Sequence, residues 1–460
     1  MVDHDAIDVS KLIDDQPVRS FHVRVVFLVF LVMITDGYDQ MSIGFAAPGM
    51  LKELHIDRSS LGAIISAALF GMLVGAPLFG WIGDRFGRRV TLISGVFIYG
   101  IVSLLTAAAQ TETELLVLRF ITGVGLSGVV ANGVALVAEF APKRVRATLV
   151  VMAQIGLTFG FMLPAVASST VEVAYGWRSL FVVGGIAPLA IGVVMLFALP
   201  ESLKFMVIAR RPMRQILRIA NALDPTLQAT HGARFIVPET EAVDPRRSHV
   251  ARLFGGGLLW ITLIIWILYN TFLAANYFMH GWMPILFRDQ GMTVNETAVV
   301  AAMFDVGGVI GALVISRLVD KYGVAAIVAL YLLACPAIAI IGFAGSDIYL
   351  LGAAIFLAGF CLVGITLGMN AITSAVYPTE IRAKGIGWAY GVGRFGSMIG
   401  PLVGGWLVGM KLPISQLFLA PVVPLGIGAV LSFMLMRLCV NRDKGSRIWL
   451  NSSAASSTST

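Results

Sequence analysis

The chain has 460 residues, 58% of them hydrophobic and 13% charged, with a mean hydropathy of +0.87. That much apolar surface, with about half the charge of an ordinary soluble domain, cannot be hidden in one water-solvated core. A soluble enzyme, a disordered chain and a nucleic-acid-binding domain are excluded as the main reading, and the net charge of +7 marks basic loops beside a membrane.

The chain opens on Asp3, Asp5, Asp8, Asp14 and Asp15, unlike the basic start of a signal peptide. A bilayer core takes about 20 mostly apolar residues per helix. Twelve such spans follow, at 24–48, 59–82, 90–109, 114–139, 145–169, 178–199, 256–282, 296–318, 324–344, 348–374, 384–409 and 415–437. The predicted organisation is an N-terminal segment 1–23, a six-helix bundle 24–199, a central loop 200–255, a second six-helix bundle 256–437 and a tail 438–460. In the central loop Arg210, Arg211, Arg214 and Arg218 alternate with Ile216, Leu217 and Ile219 at helical spacing. This reads either as an interfacial helix on anionic lipid or as an exposed basic loop. Twenty-six Lys and Arg residues fall on the side that holds the N-terminus and the central loop, against five on the other, so both termini are expected in the cytoplasm. Of the basic residues only Arg119 and Arg394 lie in a span away from its ends. Cys335, Cys361 and Cys439 form no CxxC or Cys/His spacing, so neither a disulfide framework nor a metal site is expected.

A shift of 236 aligns the two halves without a gap: Asp84 on Asp320, Arg85 on Lys321, Gly87 on Gly323, Gly123 on Gly359, Gly128 on Gly364, Pro142 on Pro378, Arg146 on Arg382 and Gly160 on Gly396. The fold class is therefore an all-α membrane protein of two pseudo-symmetric six-helix bundles related by an axis along the membrane normal. Charges that do not recur are the better candidates for ligand and proton. Asp36 falls on Phe272, Asp39 on Ala275, Arg119 on Ile355 and Glu139 on Ala375, while Asp305 falls on Leu69 and Arg394 on Thr158.

The loop GWIGDRFGRR, Gly80 to Arg89, resembles the G-x-x-x-D-R-x-G-R-R signature of the major facilitator superfamily. SRLVDKYG, Ser316 to Gly323, is similar to its weaker second copy, and PESLKF after span 6 to another landmark. Within the superfamily the chain resembles the bacterial aromatic acid:proton symporters of the 4-hydroxybenzoate and benzoate type. The carrying stretches are DGYDQMSIGFAAPGM, LRFITGVGLSGVVAN and YPTEIRAKGIGWAYGVGRFGSMIGPLVGG. Ala131 departs from the pattern, where relatives often show Pro, and so does Asp305, where a neutral residue is expected. The resemblance implies a monomeric multi-pass protein of the bacterial inner membrane that imports a small aromatic acid with protons. It implies membrane lipid around it, no nucleic-acid partner, no enzyme activity, and no cofactor or metal beyond the proton gradient.

Asp36 and Asp39 sit three residues apart, on one helix face with about 4.5 Å of rise between them, near the middle of span 1. A carboxylate there is expensive, and two neighbours oppose double ionisation. Either can carry a proton, with Asp39 preferred; the alternative is a plain ion pair with a nearby Arg. Arg119 and Arg394 offer planar, permanently charged forks for a carboxylate. Their alternatives are fixed pairs, Arg119 with an acid of span 1 and Arg394 with Asp305. Asp305 is accordingly either a second protonatable group or that partner. Asn132, Asn270, Tyr38 and Tyr390 are candidate contacts for a ring and its substituents. His280 is assigned to interfacial anchoring beside Trp282 in preference to proton chemistry. By resemblance Gly80, Asp84, Arg85, Gly87, Arg88, Arg89, Glu139 and Arg146 form a gate, with Asp320, Glu380 and Arg382 as its mirror image.

Two rivals stand beside this reading. A proton-driven exporter is expected to show a Gly-Pro-rich fifth span, and GLTFGFMLPAVAS lacks it. A membrane enzyme or sensor needs convergent metal ligands, a nucleophile with its base, or a soluble output domain, and the sequence offers none.

Overall fold

The computed structural model describes residues 6–224, 227, 234–237, 250–255, 257–345, 347–378 and 381–443. Among these, long helices recur in the order the apolar runs require. They are α1 (Ser20–Leu54), α2 (Arg58–Phe86), α3 (Arg88–Ala107), α4 (Glu112–Phe140), α5 (Arg146–Ala167) and α6 (Arg178–Ala198). Then come α7 (Leu259–Asp289), α8 (Val294–Tyr322), α9 (Val324–Phe343), α10 (Ile348–Val376), α11 (Arg382–Gly409) and α12 (Val422–Asp443). Eleven stretches are long and apolar enough to cross a membrane. The remaining helix, α11, has the length at 28 residues, but nine glycines and Arg394 dilute its apolar character.

Local chemistry sets the helix ends. Thr111 and Glu114 close a capping box on α4, and Thr293 and Glu296 close another on α8. A single glycine separates α2 from α3 and another separates α8 from α9: Gly87 at φ 107° and Gly323 at φ 58°, a backbone region that side chains avoid. α5 runs through a π turn, Ser168–Glu172, and Pro421 falls between a short helix Ile414–Leu419 and α12. Several helices overrun their apolar spans; α1 extends to Leu54 and α7 to Asp289.

The chain forms two compact units, one of residues 1–49 and 67–248, the other of 50–66 and 249–460. The central loop goes with the first unit. Segment 50–66 goes with the second, where Arg58 pairs with Asp289 and Gly62 lies against Gly405. The 236-residue repeat reappears as repeated contacts inside each unit. A Cβ on Gly71 would meet Phe120 O at 2.0 Å, and one on Gly307 would meet Phe356 O at 2.0 Å. Gly123 is closed against Ala68 O as Gly359 is against Phe304 O, and Gly160 against Ile34 O as Gly396 is against Asn270 O. All these partners are 236 apart, so each unit builds the same tight helix contacts from the same small residues.

Part of the loop structure departs from expectation. The helix Met213–Leu223 buries Ile216, Leu217, Ala220 and Leu223 inside the first unit and leaves Arg214 and Arg218 exposed. Its apolar stripe is therefore spent on protein rather than on lipid. A helix Val9–Asp14 packs beside Leu203–Ile208, and Ala6–Asp8 pairs in parallel with Arg234–Ile236, the one strand pair among the described residues. Most of tail 438–460 lies outside the described residues.

Candidate functional site

α1 and α4 bring two opposite charges together in the first unit. Arg119 Nη1 donates to Asp39 Oδ2 at 2.9 Å, and Nη2 donates to the Asp39 carbonyl at 3.3 Å. Both side chains are closed off, at 1% and 0% exposure. The guanidinium also lies 5.9 Å from the Phe181 ring centre. Two polar atoms of the pair, Asp39 Oδ1 and Arg119 Nε, are buried without a hydrogen-bond partner among the described residues. Asp36, one turn back, accepts from Gln40 Nε2 at 2.9 Å. Between the two acids, Gly37 lets α5 approach so closely that a Cβ there would lie 2.3 Å from Leu157 O and 3.0 Å from Gly160 Cα. The two other residues expected here point elsewhere. Tyr38 donates to Leu180 O at 3.0 Å, a bond to α6. Asn132 bonds Gly128 O at 3.0 Å and lies against Gly83. It is thirteen residues from Arg119, about 20 Å of helix rise, so the two cannot share one small ligand.

At the start of α3, Arg88 collects the loop charges. Its Nη1 donates to Asp84 Oδ1 at 2.9 Å and to Gly83 O at 2.6 Å, and its Nε to Glu139 Oε1 at 3.3 Å. Arg89 N donates to Glu201 Oε1 at 3.1 Å, and Arg89 Nη2 to Leu196 O at 2.6 Å. A Cβ on Gly87 would lie 2.2 Å from Glu201 Oε2. Burial pushes the Glu201 carboxyl above the usual carboxylate range, opposed by the N–H groups of Arg89 and Ser202. Arg85 lies over the Trp81 and Phe86 rings. Arg146 pairs instead with Asp14 of the N-terminal segment at 3.3 Å, and that carboxylate also accepts from Lys143 N at 2.8 Å. Gly80 faces open space. Of the mirror set, Asp320 is exposed, Arg382 is half-buried, and Glu380 lies outside the described residues.

The second unit carries two polar clusters. Tyr269 donates to Asn370 Oδ1 at 2.7 Å, and Asn370 Nδ2 donates to the Tyr390 hydroxyl at 2.8 Å. The Tyr269 and Tyr390 rings meet edge to face at 5.1 Å. Tyr390 accepts in this chain, which leaves its own O–H to donate. Arg394 is one helical turn further along α11, half-buried. Asn270 donates to Trp266 O at 2.8 Å within α7. The second cluster joins His280 Nε2 to Asp305 Oδ1 at 3.1 Å. The partner the structure gives Asp305 is thus His280, not Arg394. His280 is no interfacial anchor: it is 9% exposed and its ring meets Phe304 at 4.7 Å. Trp282 is fully buried and donates to Pro401 O at 3.0 Å.

The family model described as Major Facilitator Superfamily matches residues 29–323 and 265–451. The chain belongs to the major facilitator superfamily. It is 34% identical to the 4-hydroxybenzoate transporter PcaK of Pseudomonas aeruginosa over 95% of this chain and 98% of that protein. It is 33% identical to the gallate transporter of Pseudomonas putida over 90% and 91% of the two chains. Among solved structures it resembles a D-xylose-proton symporter (TM-score 0.67, 18% identity, 91% of this chain and 98% of the other). It also resembles a bacterial homologue of the human lysosomal transporter Spinster (TM-score 0.69, 17% identity, 92% and 99%). At these identities the structures speak for the superfamily fold alone.

Four residues escaped the sequence reading. Gln40 and Asn370 are uncharged, and within a superfamily span a lone amide reads as helix glue. Glu201 stands in the quoted PESLKF stretch, but its contact with the Gly87 turn lies 114 residues away in sequence. Asp14 belongs to an acidic run whose partner, Arg146, could not be told from the other loop cations.

Proposed function

We propose that this superfamily member is a proton-coupled symporter of the bacterial inner membrane, both termini cytoplasmic, that imports a small aromatic carboxylate by alternating access. The observation that carries the reading is the buried Asp39–Arg119 pair, with an open carboxylate oxygen and an open guanidinium nitrogen. A buried ion pair is a poor source of stability but a natural switch. When Asp39 takes a proton from outside, its hold on Arg119 weakens, and the guanidinium can accept the carboxylate of the incoming acid. When the acid leaves, the pair re-forms and the proton is expelled. Binding of anion and proton is coupled because Asp39 and the anion compete for one cation, and the proton takes Asp39 out of that competition.

The names of the relatives favour an aromatic acid as cargo. Tyr269, Asn370 and Tyr390 supply hydrogen bonds suited to a ring hydroxyl, and Arg394 is a second cation for a carboxylate. The Arg88 network with Asp84 and Glu139, together with the Arg89–Glu201 contact, suits a charged latch that opens and closes during the cycle. A drug or metabolite exporter remains the rival. Uptake of labelled benzoate, 4-hydroxybenzoate and gallate into cells, with and without an uncoupler, tests the reading. Accumulation that collapses with the uncoupler is expected, and lowered accumulation relative to cells without the protein would favour export. Asp39→Asn should sharply lower uphill accumulation; unchanged accumulation removes Asp39 from the mechanism.

A further inference from the structure

We propose that His280 and Asp305 form a second proton-binding site, so that each monoanionic acid enters with two protons and one net positive charge. The inference rests on the transport reading above and adds the charge that moves. His280 is fixed by two contacts. Its Nδ1 lies 3.0 Å from the Asn276 carbonyl oxygen, and a carbonyl only accepts, so Nδ1 carries hydrogen. Nε2 then faces Asp305 Oδ1 at 3.1 Å. With Nε2 bare and the carboxylate ionised, two lone pairs would oppose each other. The contact therefore holds one proton between the rings' nitrogen and the carboxylate oxygen, as imidazolium and carboxylate or as imidazole and acid. Either way the pair is neutral. Loss of that proton leaves a net charge of minus one on two side chains each 8% exposed.

A proton held in the contact belongs to the pair rather than to either residue. On α7 the next charges are Arg288, which donates to Met292 O, and Asp289, which pairs with Arg58 from segment 50–66. On α8 the nearest is Glu296, nine residues or about 13 Å away in its capping box. α9 offers Tyr331 and Cys335, α10 Cys361, and α12 no charge before Arg437. On α11, Arg394 follows Gly393, which lies against Tyr269. That level is eleven residues, about 16 Å of rise, from His280 along α7. In the first unit the corresponding positions are Gly44 and Leu69, so nothing in the repeated scaffold demands this pair. Through one cycle a proton binds between Nε2 and Oδ1 from outside and leaves inside, beside the proton on Asp39. Two protons and one anion sum to one positive charge.

The test uses the purified full chain in liposomes, with 4-hydroxybenzoate as the probe. With no pH difference, an inside-negative potassium diffusion potential should drive accumulation by the wild type. With the voltage held at zero, each unit of pH difference should raise the accumulation ratio about a hundredfold for two protons, against about tenfold for one. His280→Gln and Asp305→Asn should lose the voltage drive and fall to the tenfold slope. The double variant His280→Leu/Asp305→Leu removes both partners together, which is the least disruptive change to a buried pair. It guards against single variants that fail to fold and should behave likewise. A wild type that is electroneutral, or variants that keep the voltage drive, overturn the second proton and leave the transport reading standing. Monodisperse variants that no longer bind the acid also overturn it, because the pair would then hold substrate rather than proton. A wild type that takes up no aromatic acid overturns the transport reading and this inference with it.

Discussion

Replacing Arg119 by Met would leave Asp39 buried without its cation. At an effective dielectric of about 20, opposite charges about 4 Å apart attract by about 4 kcal/mol. Breaking a buried pair by removing one partner costs about 3–5 kcal/mol by experience with other proteins. The two estimates agree because the pair, at 1% and 0% exposure with a 2.9 Å contact, has no solvent to screen it. Arg119→Met and Asp39→Leu should each lower thermal stability in detergent by a few kcal/mol. At about 1 °C per kcal/mol for a chain of this length, that is a drop of about 3–5 °C in Tm. The double variant should recover most of the loss, since apolar replacement of a whole buried pair is often neutral or stabilising. The assay is a double-mutant cycle on Tm, with an expected coupling of about 3 kcal/mol. Additive losses would refute the reasoning, for they would mean that each residue is stabilised by something other than its partner.

Glu201→Gln tests the buried carboxyl beside Gly87. Its pKa in the fold lies above the unfolded value, so its contribution is fully present below about pH 4.5 and is lost as pH rises through the raised value. The Tm of the wild type should therefore fall relative to Glu201→Gln from pH 4.5 upward, and parallel curves would discard the idea. Gly37→Ala should cost about 1–3 kcal/mol, because the added carbon meets the α5 backbone. Gly80→Ala faces open space in a helix and should gain up to about 1 kcal/mol, so equal effects at the two sites would contradict the packing argument. Arg88→Lys cannot reach Asp84 and Glu139 at once with a single ammonium. Its transport rate should resemble that of Arg88→Ala, and wild-type rates would show that charge alone suffices. Tyr390→Phe should weaken 4-hydroxybenzoate about 2–10-fold while sparing benzoate, the worth of one neutral hydrogen bond. Competition assays against a common labelled substrate measure this.

Much of the architecture was legible before any coordinates. Apolar runs of bilayer length specify helices, because lipid leaves the backbone no other partner. The 236-residue repeat announced the glycine contacts that each unit makes, since Gly recurs where two helix backbones must touch. The unmatched charges, Asp36, Asp39, Arg119, Asp305 and Arg394, were visible for the same reason: a charge in a span has no cheap explanation. Less visible was the use of amphipathic character in the central loop. The stripe of Ile216, Leu217, Ala220 and Leu223 is the same whether it meets lipid or protein, and here it is buried in protein.

The sequence by itself determined the number and order of the long helices, the duplication, and which charges are forced into apolar surroundings, because each follows from periodicity and from the cost of burying polarity. Tertiary structure alone decided who meets whom. Asp39 rather than Asp36 takes Arg119, Asp305 takes His280 rather than Arg394, and Asn132 lies a long way up α4 from the ion pair. Helical spacing places a side chain on a face, but a pairing across helices depends on their relative height and rotation. Those are set by close backbone contacts such as Gly37 on Gly160, and no single segment encodes them.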